Sequence, residues 1–437
     1  MSLRKKILLL IGDVCVLYVS LATTLIFRYD ASSFAARLQA HALPFSIVFI
    51  LWLVVFYLSD LYHVKALGIR KEVTKALGIA VCISGTASII AFYLFGEFFE
   101  LTPKTNLLIV SIIVFALEFA WRTTAARIFR SGALGIVMIG DSPLFKETVS
   151  FVTDNPGLGY RIEAVIHDKA GLTLQELSRR ITNGDIHAVV VERGFAKNQD
   201  LVQNLYGLLP QNINLINFAD FYESIFAKVP LREVDEYWFI ENITPHRPFY
   251  DSLKRLSEFI FSGVLLACLF PLALLIGITI GLTSHGPLIY RQERVGKNGK
   301  LFVLYKFRTM QNNTSGPLWT EHGNDTRVTA VGGFLRFTHF DEIPQLVNVI
   351  KGDISFIGPR PERKELAEQY SKLPHYIIRH AIKPGITGWA QVNFRPSTSL
   401  EEAYEKLQYD IYYIKNRSLF LDLIIIVKTI KYVFFSH

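Results

Sequence analysis

The sequence predicts a membrane protein that combines an all-helical N-terminal part with an α/β and an α+β part. Three observations lead to this fold class: four apolar stretches near the N-terminus, four short β-rich runs alternating with helical stretches in the middle, and a polar C-terminal part that holds one more apolar segment. We therefore expect a four-helix transmembrane bundle over residues 1–130, a small Rossmann-like parallel-sheet domain over 131–245, and a monotopic α+β domain over 246–437 with a re-entrant helix at about 259–282.

The four N-terminal stretches each approach the roughly 20 apolar residues that a membrane-spanning helix needs. They are Ile7–Phe27, Leu43–Tyr62, Ala76–Phe95 and Thr105–Trp121. The acidic residues Asp13, Asp60 and Glu118 interrupt them. Because a charge facing lipid is costly, we expect these side chains to face the bundle or the membrane interface.

The distribution of Lys and Arg around these stretches predicts their orientation. Ten basic residues precede the first stretch, follow the second or follow the fourth, against three on the opposite side. Because cytoplasmic loops carry the excess of Lys and Arg, we expect the N-terminus and everything after the fourth stretch to lie in the cytosol.

The composition favours a membrane-associated chain with an anionic partner. Of the 437 residues, 51% are hydrophobic, which is unusual for a soluble protein. The formal net charge of +8 suits an anionic lipid surface or a phosphorylated substrate. No Lys/Arg-rich recognition helix or module of stacking aromatics is present, so no nucleic acid is expected as a partner. The three cysteines lie in apolar runs, which argues against a disulfide framework and a Cys-ligated metal.

The middle region predicts a parallel sheet with an incomplete nucleotide signature. The expected strands are Gly135–Ile139, Ile162–Ile166, Ala188–Val191 and Ile213–Ile216. A dinucleotide fingerprint needs three glycines in the turn after the first strand, but here only Gly140 is present, and Pro143 suits a first helical turn. An inert, regulatory or dimerising domain is therefore favoured over a cofactor-binding one, and a homodimer is a reasonable expectation.

A further apolar segment, Phe259–Leu282, is long enough to span a membrane but carries Pro271 at its centre. Proline removes a backbone hydrogen bond and clashes with the preceding turn, so we expect a helix break there. Basic residues flank both ends of the segment, which favours a helix that enters the membrane, bends at Pro271 and returns to the cytosolic side. The alternative is a kinked fifth span.

The polar C-terminal part holds a pair of adjacent carboxylates, Asp341 and Glu342, followed by Pro344 and near several arginines. A carboxylate can attack phosphorus and form a covalent intermediate, a second carboxylate can hold Mg²⁺, and arginines bind phosphates through paired hydrogen bonds. The pair should stand near the start of a helix, since Pro344 is tolerated in a first turn. The residues alone leave a second interpretation open, in which Asp341 only caps that helix and Glu342 compensates its dipole.

Taken together, the C-terminal motifs closely resemble the polyprenyl-phosphate hexose-1-phosphate transferases that initiate bacterial surface-glycan synthesis. The resemblance runs from about Tyr250 to the C-terminus. It rests on Tyr250-Asp251, Lys254-Arg255, Gly286-Pro287, Arg291-Gln292-Glu293-Arg294-Val295-Gly296, Lys306-Phe307-Arg308, Asp341-Glu342-Ile343-Pro344-Gln345, Asn348, Gly352-Asp353, Gly358-Pro359-Arg360-Pro361-Glu362, Lys383-Pro384-Gly385-Ile386-Thr387-Gly388 and Tyr409-Asp410. One departure is Glu258, which stands where Asp is more usual in that family.

The resemblance implies a reaction and a set of site residues. Asp341 would attack the β-phosphate of a UDP-sugar, release UMP and carry the sugar phosphate covalently, while Glu342 would bind Mg²⁺. Undecaprenyl phosphate would then accept the sugar phosphate, with the enzyme in the bacterial inner (cytoplasmic) membrane and its catalytic domain on the cytosolic face. The implied substrate-binding residues are Lys254, Arg255, Arg294, Lys306, Arg308, Arg336 and Arg360. Glucose, galactose and N-acetylated sugars stay open as the sugar.

Two other functions are weighed against this one. A non-catalytic membrane scaffold or regulator of a glycan assembly complex would not need the complete Asp341-Glu342 pair and the arginines that accompany it. Tyr250 and Lys254 also match the Tyr-x-x-x-Lys pair of short-chain dehydrogenases. That activity would require bound NAD, for which the glycine fingerprint is missing.

Overall fold

The computed structural model describes residues 3–30, 32, 34–59, 61–62, 70–94, 104–131, 133–167, 186–195, 203, 205–207, 210, 213–311, 327–394 and 399–435. The chain divides into two compact units, an N-terminal unit, Met1–Ile225, and a C-terminal unit, Phe226–His437.

Long apolar helices form the first part of the N-terminal unit. They are α1 (Leu3–Arg28), α2 (Phe34–Leu58), α3 (Arg70–Leu94) and α4 (Lys104–Ser131). Each covers most of one predicted stretch, and each is long and apolar enough to cross a membrane. α1 packs against α2 and α4, and α3 packs against the same two helices. The predicted apolar helices are therefore confirmed, although Phe95 at the end of the third stretch lies outside the described residues.

Ionisable side chains are buried between these helices. Arg122 Nη2 on α4 lies 2.5 Å from Asp13 Oδ2 on α1, and Arg122 Nε lies 3.5 Å from Glu118 Oε2. The Tyr62 hydroxyl donates to the same Asp13 oxygen at 2.5 Å. Asp13 and Glu118 thus face the bundle, as the sequence predicted, while Asp60 lies outside the described residues.

The α/β part of the N-terminal unit is built on a parallel sheet. Its described strands are β1 (Leu134–Ile139), β2 (Tyr160–Ile166), β3 (Ala188–Val191) and β4 (Asn214–Asn217), in the order β2-β1-β3-β4. All three pairings are parallel, so the predicted parallel sheet is confirmed, with strand limits within two residues of those expected. α5 (Pro143–Asp154) follows β1, with Ser142 as its N-cap and Pro143 in its first turn.

The C-terminal unit mixes helices with two small sheets. Its elements are the end of α6 (Phe218–Phe226), α7 (Glu236–Asn242), α8 (Pro248–Thr283), β5 (Ile289–Val295), β6 (Leu301–Phe307), α9 (Ala330–Thr338), α10 (Gln345–Lys351), β7 (Ser355–Ile357), α11 (Lys364–Tyr370), β8 (Gly385–Thr387), α12 (Trp389–Asn393), α13 (Leu400–Asn416) and α14 (Leu419–Phe435). β5 and β6 form an antiparallel hairpin, and β7 pairs in parallel with β8. Residues 226–245, which the sequence placed with the middle domain, contact this unit. The Val229 N–H, for example, donates to the Gln408 carbonyl at 3.1 Å.

α8 is a single helix of 36 residues with Pro271 inside it. The helix begins eleven residues before the apolar segment and continues through Pro271, where the sequence predicted a break. Glu258 near its first third is buried, and its Oε1 accepts hydrogen bonds from the Ser355 hydroxyl and the Phe356 N–H of β7. Ile276 and Ile280 in its last third are buried against residues of β6, α9 and the start of α10. Much of the remaining surface of α8 consists of exposed apolar side chains.

Candidate active site

Asp341 and Glu342 lie in a tight turn between α9 and α10. α9 ends at Thr338, and the next residue, His339, has a left-handed backbone conformation (φ 58°, ψ 16°), an uncommon and strained state for a residue with a side chain. A 3₁₀ turn, Phe340–Glu342, follows, and α10 begins at Gln345 after Pro344. The prediction that the carboxylates stand just before a helix is therefore confirmed.

Glu342 is held by two cations from different elements. Its Oε1 accepts a hydrogen bond from Lys306 Nζ on β6 at 2.6 Å and from Arg360 Nη2, which follows β7, at 3.0 Å. Burial acts to raise the pKa of Glu342, but the charges of Arg360 and Lys306 outweigh it and hold that pKa well below its usual range. Glu342 is therefore an anion throughout the physiological pH range.

Asp341 is also buried, with 7% of its surface exposed, but its surroundings differ from those of Glu342. Within the described part of the chain, no side chain or backbone N–H donates a hydrogen bond to its carboxylate. Burial raises the pKa of Asp341, with the charge of Lys306 acting in the opposite direction and that of Glu342 reinforcing the rise. The two carboxylates thus have opposite electrostatic surroundings although they are adjacent in sequence.

The carboxylate pair fits Mg²⁺ by its chemistry. Among the described residues, no group of three or more His, Cys, Asp or Glu side chains is placed to hold a metal ion. Mg²⁺ is usually bound by one or two carboxylates together with waters and substrate phosphates. The ionised Glu342 meets that requirement, with its side chain 13% exposed.

A buried network of ion pairs contacts the backbone of Arg360. Arg379 Nη2 donates to the Arg360 carbonyl at 2.6 Å and lies 3.2 Å from Glu362, while Arg379 Nε donates to Asp410 at 2.7 Å. Glu362 also accepts from Lys406 at 2.7 Å. Burial acts to raise the pKa of Glu362, but the charges of Lys406 and Arg379 lower it to about 2. Sequence reasoning found Glu362 and Asp410 within motifs and missed Arg379 and Lys406, which stand alone in the sequence.

Two of the predicted binding residues, Lys254 and Arg255, are held by contacts within the unit. Lys254 Nζ lies 3.0 Å from Asp422 Oδ2 on α14 and donates to the Tyr250 and Tyr413 hydroxyls at 3.2 and 2.8 Å. Arg255 donates to the Val349 and Ile350 carbonyls at the end of α10. These side chains join α8 to α14 and α10, and none of their described contacts reaches Asp341 or Glu342.

Three further predicted residues lie around the site without touching the carboxylates. Arg294 donates to the Pro361 carbonyl at 3.0 Å, and burial together with the charge of Arg360 lowers its pKa to about 10. Arg308 donates to the carbonyl and hydroxyl of Ser284, and Arg336 Nε donates to the Thr309 hydroxyl at 2.9 Å. Of the seven predicted binding residues, Lys306 and Arg360 contact the carboxylate pair directly.

A small cavity lies beside Arg360. Its lining residues are Val295, Gly296, Pro359, Arg360, Pro361, Arg379, His380, Ile382 and Pro384. Burial and the charge of Arg379 lower the pKa of His380 to about 4, so this ring is neutral at pH 7. The cavity is far smaller than the roughly 300 Å³ at which small-molecule sites begin, so it does not by itself hold a nucleotide sugar.

Comparisons with known proteins match the part of the chain that contains these residues. A family model described as bacterial sugar transferase matches residues 249–436. A relative from Escherichia coli (strain K12), named UDP-glucose:undecaprenyl-phosphate glucose-1-phosphate transferase, is 31% identical over 315 residues, which cover 68% of this chain and 66% of that protein. A relative of the same name from Caulobacter vibrioides is 40% identical over 41% of this chain and 69% of that protein.

A third relative carries a different sugar in its name. It is the UDP-N-acetylgalactosamine-undecaprenyl-phosphate N-acetylgalactosaminephosphotransferase of Aeromonas hydrophila, 41% identical over 42% of this chain. The match covers 44% of that protein, so the chain spans less than half of this relative and about two thirds of the other two.

Proposed function

We propose that this chain, which belongs to the bacterial sugar transferase family, transfers a sugar 1-phosphate from a UDP-sugar to undecaprenyl phosphate. The names of the relatives support the class of both substrates. They include UDP-glucose and UDP-N-acetylgalactosamine enzymes, so the sugar itself stays open. Such a transfer is the first step in the synthesis of a surface polysaccharide.

The observation that carries the proposal is the contrast between Asp341 and Glu342. Asp341 has no hydrogen-bond donor within the described residues, so no bond has to break before its carboxylate attacks. Burial of most of the Asp341 side chain also reduces the hydration that would weaken its carboxylate as a nucleophile. Its Oδ atom would attack the β-phosphorus of the UDP-sugar, the bond from that phosphorus to the bridging oxygen would break, and UMP would leave.

The second half of the reaction would regenerate the enzyme. An oxygen of undecaprenyl phosphate would attack the phosphorus of the aspartyl sugar phosphate, the Asp341–phosphorus bond would break, and undecaprenyl-diphosphate sugar would leave. Lys306 and Arg360 keep Glu342 ionised and supply positive charge beside the phosphates. Glu342 would hold Mg²⁺, which when bound offsets the negative charge of the transferred phosphate.

The contacts of α8 support a path in which this helix enters the membrane and returns. Arg255 in its first third binds α10, and Ile280 in its last third is buried with Leu335 of α9 and Phe307 of β6. Both ends of α8 therefore contact the same polar unit, which cannot lie on two sides of a membrane. The exposed apolar side chains between those contacts, such as Phe270, would face lipid.

The first experiment measures UMP release by the purified protein from a panel of UDP-sugars, with Mg²⁺ and undecaprenyl phosphate. Asp341→Asn keeps the size and shape of the side chain but is a poor nucleophile, so we expect it to remain folded and to lose activity by about a thousandfold or more. Glu365→Gln removes an exposed carboxylate of α11 and is the matched control, with activity unchanged.

Mass spectrometry completes the test. With a reactive UDP-sugar and no lipid acceptor, we expect a sugar phosphate on the peptide that contains Asp341. Full activity in Asp341→Asn would mean that Asp341 is not the nucleophile and that the mechanism is wrong. If no UDP-sugar reacts with the unmodified protein, a non-catalytic role in a glycan assembly complex becomes the better interpretation.

A further inference from the structure

The turn between β1 and α5 directs two backbone N–H groups at one carboxylate oxygen. The Asp141 N–H donates to Glu192 Oε2 at 2.7 Å, and the Ser142 N–H donates to the same atom at 3.3 Å. Within α5, the Phe145 N–H donates to the Ser142 hydroxyl at 3.2 Å. The start of the helix therefore has an anion bound to it, supplied by the chain itself.

Glu192 reaches this position from the neighbouring strand. It directly follows β3, its own N–H donates to the Ile139 carbonyl at the end of β1 at 2.8 Å, and its surface is 5% exposed. A Cβ atom on Gly140 would lie 2.6 Å from Glu192 Oε2 and 2.6 Å from the Phe145 ring. Gly140 is thus required so that the turn, the carboxylate and α5 can approach one another.

The same position is an anion site in nucleotide-binding α/β domains. There the phosphate lies at the carboxyl end of the first strand, against the backbone N–H groups at the start of the following helix. In this sheet, β1 and β3 are adjacent and parallel, so their carboxyl ends meet at one edge. The Glu192 carboxylate has the charge and the acceptor geometry that a phosphate oxygen would have at this edge.

We propose that Glu192 is an internal substitute for a phosphate group, so that the α/β domain folds around its own anion and its β1 turn is closed to phosphate-containing ligands. Removal of the carboxylate would leave the Asp141 and Ser142 N–H groups without their protein acceptor. The turn of such a variant would then accept inorganic phosphate, the simplest ligand of the class that the carboxylate replaces.

Amide hydrogen exchange of the full-length protein in detergent tests this proposal at the turn itself. In Glu192→Ala we expect the Asp141 and Ser142 amides to exchange about tenfold faster or more, because they lose a charged acceptor. Inorganic phosphate at about 10 mM should slow that exchange again in the variant, and should change nothing in the unmodified protein. Sodium chloride at equal ionic strength corrects for screening.

Two further variants make the test decisive. Glu147→Ala removes an exposed carboxylate from α5 and should alter neither the exchange rate nor the response to phosphate. Glu192→Gln keeps an oxygen acceptor without the charge, so it should exchange at an intermediate rate, and it serves if Glu192→Ala does not fold. Unchanged exchange in both Glu192 variants would overturn the proposal. Protection of these amides in the unmodified protein by phosphate or NAD would also overturn it, since the turn would then be open to an external ligand.

Discussion

Adjacent carboxylates in one turn receive different chemical properties from the residues around them. Asp341 and Glu342 are both buried, yet the pKa of Asp341 is raised and that of Glu342 is lowered. The difference arises because Lys306 and Arg360 both bond to Glu342 and neither bonds to Asp341. Neighbouring groups whose pKa values are pushed apart are typical of sites with a division of catalytic roles.

These pKa shifts predict the pH dependence of activity. In the proposed mechanism Asp341 must be ionised to attack, and since burial raises its pKa, activity should begin to fall on acidification at a higher pH than for an ordinary aspartate. Burial lowers the pKa of Lys306, partly offset by Glu342, so the alkaline fall should begin at a lower pH than for an ordinary lysine. Profiles of kcat/KM against pH measure both limits.

The variant Lys306→Arg separates the two limits, because a guanidinium does not lose its proton in the accessible range. We expect its alkaline limit to move to higher pH while the acidic limit stays in place. Lys351→Arg makes the same change at an exposed lysine on α10 that bonds to Tyr305, and should leave both limits unchanged. An alkaline limit that is identical in Lys306→Arg and the unmodified protein would assign that limit to another group.

The ion network that contacts Arg360 predicts that Arg379→Met lowers the free energy of unfolding more than Lys406→Met does. Arg379→Met leaves the carboxylates of Glu362 and Asp410 buried without their shared cation, which should cost about 3–5 kcal/mol of unfolding free energy. Lys406→Met should cost less, because Glu362 keeps Arg379. Thermal unfolding of the two variants in detergent compares them directly. Equal melting temperatures would mean that Arg379 is not the centre of the network.

Residue types in motifs were predictable from the sequence, whereas their partners were not. The sequence identified Asp341, Glu342, Lys306 and Arg360, and the structure brings these four together. It assigned Lys254 to substrate binding on equal grounds, yet the described contacts of that lysine join α8 to α14. A motif predicts which residue type is present, whereas the contacts of that side chain depend on the tertiary structure.

At the scale of elements, hydropathy located the apolar helices but not their polar extensions. The strands of the parallel sheet and the apolar helices stand close to their expected positions. α8, however, starts at Pro248 instead of about 259, because Arg255 and Glu258 anchor its polar first third to α10 and β7. A window of apolar residues cannot detect a helical turn that is stabilised by tertiary contacts.

The ion cluster between α1 and α4 predicts how these helices respond to the loss of one charge. Arg122→Leu leaves Asp13 and Glu118 buried without their cation, so we expect a clear fall in melting temperature in detergent. The double variant Asp13→Leu with Arg122→Leu removes both members of the shorter pair and should recover part of that loss. Arg127→Leu, at an exposed position of α4, is the control and should have little effect.

A double variant that loses as much as the sum of its two single variants would contradict this interpretation. Additive losses are the behaviour of sites that do not interact. In a buried ion pair the two stability losses are coupled, because removal of one member leaves the charge of the other buried without a partner.

At the scale of the whole molecule, the length of α8 is compatible with either membrane path. Its 36 residues correspond to about 54 Å, but the apolar part alone is near the roughly 30 Å of a hydrocarbon core. We infer the returning path, because Arg255 near the start of α8 and Ile280 near its end both contact residues of the C-terminal unit. A crossing helix would place those contacts on opposite sides of the membrane.

Cysteine labelling in right-side-out membrane vesicles tests this topology, after replacement of Cys15, Cys82 and Cys268. Thr244→Cys precedes α8, Lys297→Cys lies in the exposed turn after β5, and Ser32→Cys lies between α1 and α2. A membrane-impermeant thiol reagent should label Ser32→Cys in sealed vesicles, and the other two variants only after detergent treatment. External labelling at Lys297→Cys but not at Thr244→Cys would mean that α8 crosses the membrane. The β5–β6 hairpin that carries Lys306 would then lie outside, away from any cytosolic UDP-sugar, and the proposed reaction could not take place at Asp341.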